Sequence, residues 1–517
     1  MVASDVSRDS NLDPNRDNPL VHVVRDQHIH VLPAYTLECG ATLTRVPIAY
    51  KTWGTLNERG DNVVVICHAL TGSADAADWW GPLLGPGAVV DTDRFFVFCA
   101  NITGSPYGSA SPLTLDPATG QRYGPAFPLT TIRDDVHMHR AVLDALGARV
   151  VQFVIGGSLG GMQALEWASR FGPDYVRHVV PLATSARHSA WGISWGEAQR
   201  QSIYADPRYC DGHYALDAPP ATGLAAARMT ALLTYRSRAS FDTRFGRRTM
   251  PALPYTALAP HHVPRSDRDA ARLLHNEGHR VRLHPDGRRP PSVAAAASSP
   301  PSAATANAGP ASTTLPASAP SLPAPTAVSA ASSLALPLAS PFAKPSATPS
   351  VYSVQSYLRY QGDKFLSRFD ANCYIAITRK MDTHDVSRGY AAPAGVADDA
   401  TDAGRDRVLA EVLATRLVQP ALVIGIETDG LFAPEEQAVL ADGMPNARLV
   451  VIPSAEGHDG FLLEFEQIGA HIGAFIDQYT PAHLQLASAE ATDGPRSRKV
   501  GAVTASTFGE ADDLLQW

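Results

Sequence analysis

Residues 150–167 read VVQFVIGGSLGGMQALEW. Five of the first six are apolar. Four glycines then surround a single serine, Ser158, and a helical pattern follows as far as Gly172-Pro173, a pair that stops helices. An apolar run of this length without polar alternation reads as a strand buried on both faces. Gly156-Gly157-Ser158-Leu159-Gly160 fits G-x-S-x-G, and between a strand and a helix this is the nucleophile elbow. The steric reason lies in the bend. The residues two before and two after the serine approach so closely that side chains there would collide. The bend lifts the hydroxyl clear of the backbone, over the N-terminus of the next helix, where amide dipoles favour a developing anion.

The same kind of run recurs along the chain: Asn62–Leu70, Phe95–Asn101, His178–Thr184, Ala421–Asp429 and Ala447–His458. Helical patterns lie between them. In Thr131–Gly147 the residues Val136, His139, Ala141, Val142 and Leu146 share one face. Strands alternating with helices predict an α/β layered fold with a mostly parallel sheet, and chemistry then belongs at the strand ends.

A nucleophilic serine needs a base, and the base needs an orienting acid. In this fold they follow in the order Ser, Asp, His. Asp429 closes the run LVIGIETD, and His458 follows RLVVIPSAEG. Ser158, Asp429 and His458 are therefore the candidate triad. The amide of Leu159 is one expected oxyanion donor. The other is the amide of Leu70, in the loop CHALTGS that follows an earlier strand. His68 in that loop competes poorly as the base, because it precedes the elbow. His137 and His139 stand two apart on a helix and point away from each other, so no metal site is expected there.

The bulk numbers bound the alternatives. The chain has 517 residues, 45% hydrophobic and 18% charged, with a formal net charge of −8. That is the composition of a globular protein, not of a nucleic-acid binder or a polybasic membrane anchor. No apolar run approaches the ~20 residues of a membrane helix. The first twenty residues lack the apolar core of a secretory signal and carry acids among their arginines, so a cytoplasmic location is expected. Five scattered cysteines, with no C-x-x-C, fit reduced thiols. From Pro290 to Ser350 the chain is nearly all Ala, Ser, Pro and Thr, with Lys344 the one charge. Such a stretch buries too little apolar surface to offset an ordering entropy of roughly 1–2 kcal/mol per residue, and disorder is expected there.

Several longer motifs carry a family resemblance: YKTWGTLN (50–57), CHALTGSADAADWW (67–80), GGSLGGMQALEW (156–167), ATSARHSAWGISWGEAQRQSIYADP (183–207), AARMTALLTYRSRASFDTRFGRR (226–248), YLRYQGDKFLSRFDANCYIAITRKMDTHD (357–385) and EGHDGFLLE (456–464). Together they resemble homoserine O-acetyltransferases, and the Ala/Ser/Pro insertion with the end FGEADDLLQW is similar to the fungal branch. The resemblance implies an α/β-hydrolase core with an inserted helical lid, ping-pong acetyl transfer from acetyl-CoA as a substrate rather than a resident cofactor, a place in methionine biosynthesis, and homodimers formed through the lid. It implies segments at 20–185 and 396–485 for the core, 186–260 and 351–395 for the lid, 261–350 for the insertion and 486–517 for a tail. It places Arg228, Tyr235 and Asp459 on the amino-acid substrate. A guanidinium suits a carboxylate and a carboxylate suits an ammonium group. Within the family a succinyl donor or a serine acceptor remains an alternative, and outside it a serine esterase.

Overall fold

The computed structural model describes residues 13–251, 266–276, 350–390 and 401–485. Most of the Ala/Ser/Pro-rich stretch and the tail from 486 lie outside the described residues. The chain divides into two compact units, Met1–Arg248 with Tyr352–Trp517, and Thr249–Val351. The second unit contributes one described helix, Asp267–His275.

The first unit is built on an eight-stranded sheet. Its strands are β1 (His28–Thr36), β2 (Thr42–Trp53), β3 (Val63–Cys67), β4 (Phe96–Ala100), β5 (Val151–Gly157), β6 (Val176–Leu182), β7 (Ala421–Ile426) and β8 (Ala447–Ile452). They lie in the order β1-β2-β4-β3-β5-β6-β7-β8. From β4 to β8 all neighbours run parallel, while β2 is antiparallel to both β1 and β4. This is the α/β layering with a mostly parallel sheet expected from the apolar runs, and it agrees with the α/β-hydrolase core that the resemblance implies. The antiparallel pair is additional to them.

Unbroken apolar runs arise because both faces of the sheet are covered. In β3, Val63, Val65 and Cys67 enter one core while Val64 and Ile66 enter the other. In β7, Ala421 and Val423 divide in the same way from Leu422, Ile424 and Ile426. The first core is closed by α1 (Ile132–Leu146), α2 (Leu159–Tyr175) and α8 (Asp402–Arg416), through Val136, Leu143, Leu165, Trp167, Val408 and Leu413. The second is closed by α10 (Phe465–Tyr479), through Ile468, Ile472 and Phe475. A fully buried side chain of this kind contributes about 1.5–3 kcal/mol.

Between β6 and β7 the chain leaves the sheet and forms α3 (Ala190–Tyr204), α4 (Ala221–Tyr235), α5 (Arg238–Arg244), α6 (Ser353–Leu366) and α7 (Ala371–Asp382). These helices form a third apolar core with residues of the sheet's loops and of α2: Ile203, Leu224, Phe365 and Tyr374 pack with Ile102, Leu113, Leu159 and Met162. Two buried ion pairs pin this layer down. Lys380 on α7 meets Asp135 on α1, and its ammonium also donates to the carbonyl of Thr103 at 2.7 Å. Arg133 on α1 pairs with Glu166 on α2 at 2.9 Å and donates to the carbonyls of Asp385 and Val386, just past α7. The helix α9 (Pro434–Gly443) follows β7.

Candidate active site

Ser158 stands between β5 and α2 with φ 58° and ψ −124°, a backbone conformation that non-glycine residues avoid. The close approach anticipated at the bend is present. A Cβ on Gly156 would lie 2.2 Å from the carbonyl oxygen of Gly160, and one on Gly160 would lie 2.1 Å from that of Cys67. The turn is held by Ser158 N–H donating to Leu182 O at 2.9 Å and by Thr184 Oγ1 donating to Ser158 O at 2.8 Å.

Asp429 sits in the turn after β7, and His458 in the one-turn helix Gly457–Asp459 after β8. His458 Nδ1 donates to Asp429 Oδ2 at 2.7 Å, and Asp429 Oδ1 accepts the amides of Leu431 and Phe432 at 2.9 Å each. A carboxylate so bound fixes the ring and its tautomer and leaves Nε2 for the other side. Burial pulls the His458 pKa down, but the charge and hydrogen bond of Asp429 outweigh it, and the net direction is upward. Phe432 and Phe461 flank the imidazole with ring centres 5.3 and 5.2 Å away.

Ser158 and His458 line one cleft, together with Leu70, Trp79, Tyr235, Met381, Leu431, Asp459 and Phe461. No hydrogen bond joins the serine hydroxyl to His458 in this state, as is common before substrate tightens such a site. Leu70 borders the cleft. Leu159 is buried as the first residue of α2, where a helix leaves its amide without an internal acceptor.

The three expected substrate residues divide. Tyr235 and Asp459 face the cleft. Arg228 does not line it; the guanidinium sits deeper, 5.5 Å from the centre of the Tyr235 ring and 5.0 Å from that of Phe365. Burial raises the pKa of the Asp459 carboxyl, against the opposing pull of Arg236, His458 and Arg228. Arg236 Nε lies 2.9 Å from Asp459 Oδ2, an ion pair whose N–H is not aligned for a hydrogen bond. Arg236 also pairs with Glu456 at 2.6 Å, and Arg244 meets the other Glu456 oxygen at 2.7 Å. The turn after α4 is thus tied to the histidine loop. Gly457 permits this contact: φ is +70°, and a Cβ there would lie 2.4 Å from Ser237 N.

Sequence reasoning missed Arg236, Glu456 and Glu436. Arg236 and Glu456 meet across 220 residues, and no local pattern announces such a pair. Burial raises the Glu436 carboxyl to about 7; a hydrogen bond from Ser189 opposes this, and the Asp429 charge adds to it.

An elbow serine, a carboxylate-bound histidine and eight strands in this order define a protein of the α/β-hydrolase class. The family model described as "alpha/beta hydrolase fold" matches residues 62–272. The chain is 48% identical over 526 residues to a homoserine O-acetyltransferase of Ascobolus immersus, covering 97% of this chain and 96% of that one. It is 48% identical over 500 residues to one of Saccharomyces cerevisiae, with coverage of 97% and 96%. The chain belongs to the homoserine O-acetyltransferase family and is an acyltransferase. In fold it is similar to a homoserine O-acetyltransferase from Bacillus anthracis, with TM-score 0.62, 19% identity and coverage of 88% and 98%. It is also similar to esterase E22, with TM-score 0.61, 22% identity and coverage of 87% and 99%. Among the described residues, no helix is long and apolar enough to cross a membrane.

Proposed function

We propose that this protein transfers an acetyl group from acetyl-CoA, through Ser158, to the hydroxyl of homoserine. The observation that carries the reading is the convergence of Ser158, of His458 held by Asp429, and of the acidic Asp459 on a single cleft. His458 Nε2 takes the proton of Ser158 as Oγ attacks the thioester carbonyl. The oxyanion rests on the amides of Leu70 and Leu159. The C–S bond breaks, His458 returns the proton to sulfur, and coenzyme A leaves as the thiol. The homoserine hydroxyl then gives its proton to His458 and attacks acetyl-Ser158; the acyl C–Oγ bond breaks, His458 returns the proton to Ser158 Oγ, and O-acetylhomoserine leaves.

Asp459 at the cleft wall suits the substrate ammonium. Arg228, one layer deeper against Tyr235, suits its carboxylate through the Tyr235 hydroxyl or after a small shift of that ring. The phenylalanines around His458 favour transfer over hydrolysis by restricting water. The same reading carries a cytoplasmic location, a place in methionine biosynthesis and a homodimer through the lid helices, the last to be checked by analytical ultracentrifugation.

Incubation with acetyl-labelled acetyl-CoA is the test. The wild-type chain is expected to retain covalent label that homoserine discharges, and Ser158→Ala to retain none. Label on Ser158→Ala would remove the serine from its role. Thiol release measured across acetyl-CoA and succinyl-CoA, with homoserine, serine or no acceptor, fixes the donor and acceptor and separates transfer from hydrolysis.

A further inference from the structure

His68 is fully buried, lies beside the cleft, and has no part in the chemistry above. Both ring nitrogens are nonetheless committed. Nε2 lies 3.1 Å from the amide nitrogen of Ile102, which can only donate. Nε2 is therefore the acceptor, the proton is on Nδ1, and Nδ1–H donates to the carbonyl of Ala69 at 2.8 Å. Burial holds the ring neutral, with its pKa lowered to about 4. The Ala69 carbonyl takes a second hydrogen bond, from Gly72 N–H at 3.0 Å. One residue back, the His68 carbonyl accepts from Gln163 Nε2 at 3.1 Å, and Gln163 stands on the helix that follows Ser158.

The Ala69 carbonyl and the Leu70 N–H belong to one peptide unit. That unit is planar and trans, since the described chain has no cis peptide bonds. In a trans unit the N–H points opposite to the C=O. Two donors pulling the Ala69 oxygen inward therefore turn the Leu70 N–H outward, and Leu70 borders the cleft. Among the described residues no acceptor takes that N–H.

We infer that His68 is a positioning residue: by holding the Ala69 carbonyl it aims the Leu70 amide at the oxyanion. The inference rests on the acyl-transfer reading above. It explains why a histidine occupies this loop without serving as base. It also explains why a neutral ring is required, for an imidazolium would lose its bond with Ile102.

Asparagine presents an N–H near the δ position of histidine, and glutamine presents its amide near the ε position. Single-turnover thiol release from acetyl-CoA should fall roughly 10²-fold in His68→Leu, with KM for acetyl-CoA within about twofold of wild type. His68→Asn should recover most of that loss, and His68→Gln little of it. If His68→Leu does not fold, the comparison is read between His68→Asn and His68→Gln, with melting temperatures recorded for both. Equal rates in the asparagine and glutamine variants, or full-rate acylation in a folded His68→Leu, would overturn the assignment. A wild-type chain that releases no thiol would instead overturn the acyl-transfer reading and leave the His68 geometry aside.

Discussion

The Asp429–His458 pair decides how the site titrates. In the proposed acyl transfer His458 must be neutral to take a proton, and its pKa lies above the ordinary histidine value. The acidic limb of kcat/KM should therefore lie above pH 6.5 and fall away as pH drops through it. The stability contribution has the opposite sense. A histidine whose pKa is higher folded than unfolded stabilises the fold fully below the unfolded value, and that contribution is lost as pH rises through the folded value. Asp429→Asn removes the charge that holds the imidazolium. The acidic limb should move to lower pH while kcat falls by about 10⁴, as when a triad ring loses its tautomer. A pH–rate profile of the variant checks both, and an unmoved limb would assign the titration to another group. Glu436, with a pKa near 7, is the alternative, and Glu436→Gln in the same assay separates the two.

At the scale of elements, the helical layer over the cleft is secured by ion pairs as well as by apolar packing. Lys380 and Asp135 are both fully buried. Removing one charge strands the other, so Lys380→Met should cost about 3–5 kcal/mol in a denaturant titration. A cost under about 1 kcal/mol would mean that water reaches Asp135. The elements themselves were unevenly legible. β3 through β7 read directly because their apolar runs reflect burial on both faces, and β8 was read from the run Ala447–His458 although, as an edge strand, it is only partly buried. β1 was not legible: it is an edge strand carrying Pro33 and mostly exposed side chains, so no apolar run marks it. β2 continues from polar, exposed positions into buried ones and likewise lacks a clean period. Of the site, the elbow and the order Ser-Asp-His were legible because backbone sterics and topology impose them. Tyr235 and Asp459 came from resemblance alone. Arg236 and Glu456 were not legible at all, since their partners are set by how α4 and the loop after β8 meet in space. The depth of Arg228 was hidden for the same reason: a residue's place on a helix does not say which neighbour stands between it and a cleft.

At the scale of the molecule, the sheet joins segments far apart in the chain. β6 pairs with β7 through Val179 with Ala421 and Leu182 with Ile424, so the helices α3 to α7 are all spelled out between two adjacent strands. Such pairings are slow to form, because loop closure comes before the contacts that reward it. In pulse-labelled hydrogen exchange during refolding, amides of β3, β5 and β6 should gain protection before those of β7 and β8. Simultaneous protection would mean that the sheet closes in one step. The same topology has a consequence on the ribosome. Once β6 has emerged, its apolar edge has no strand to bind until β7 is made. At about 5–20 residues per second that wait lasts on the order of ten seconds or more. Asp429 and His458 arrive later still. A nascent chain thus carries its serine for most of its synthesis without the means to activate it, and with an open sheet edge that a chaperone is suited to shield.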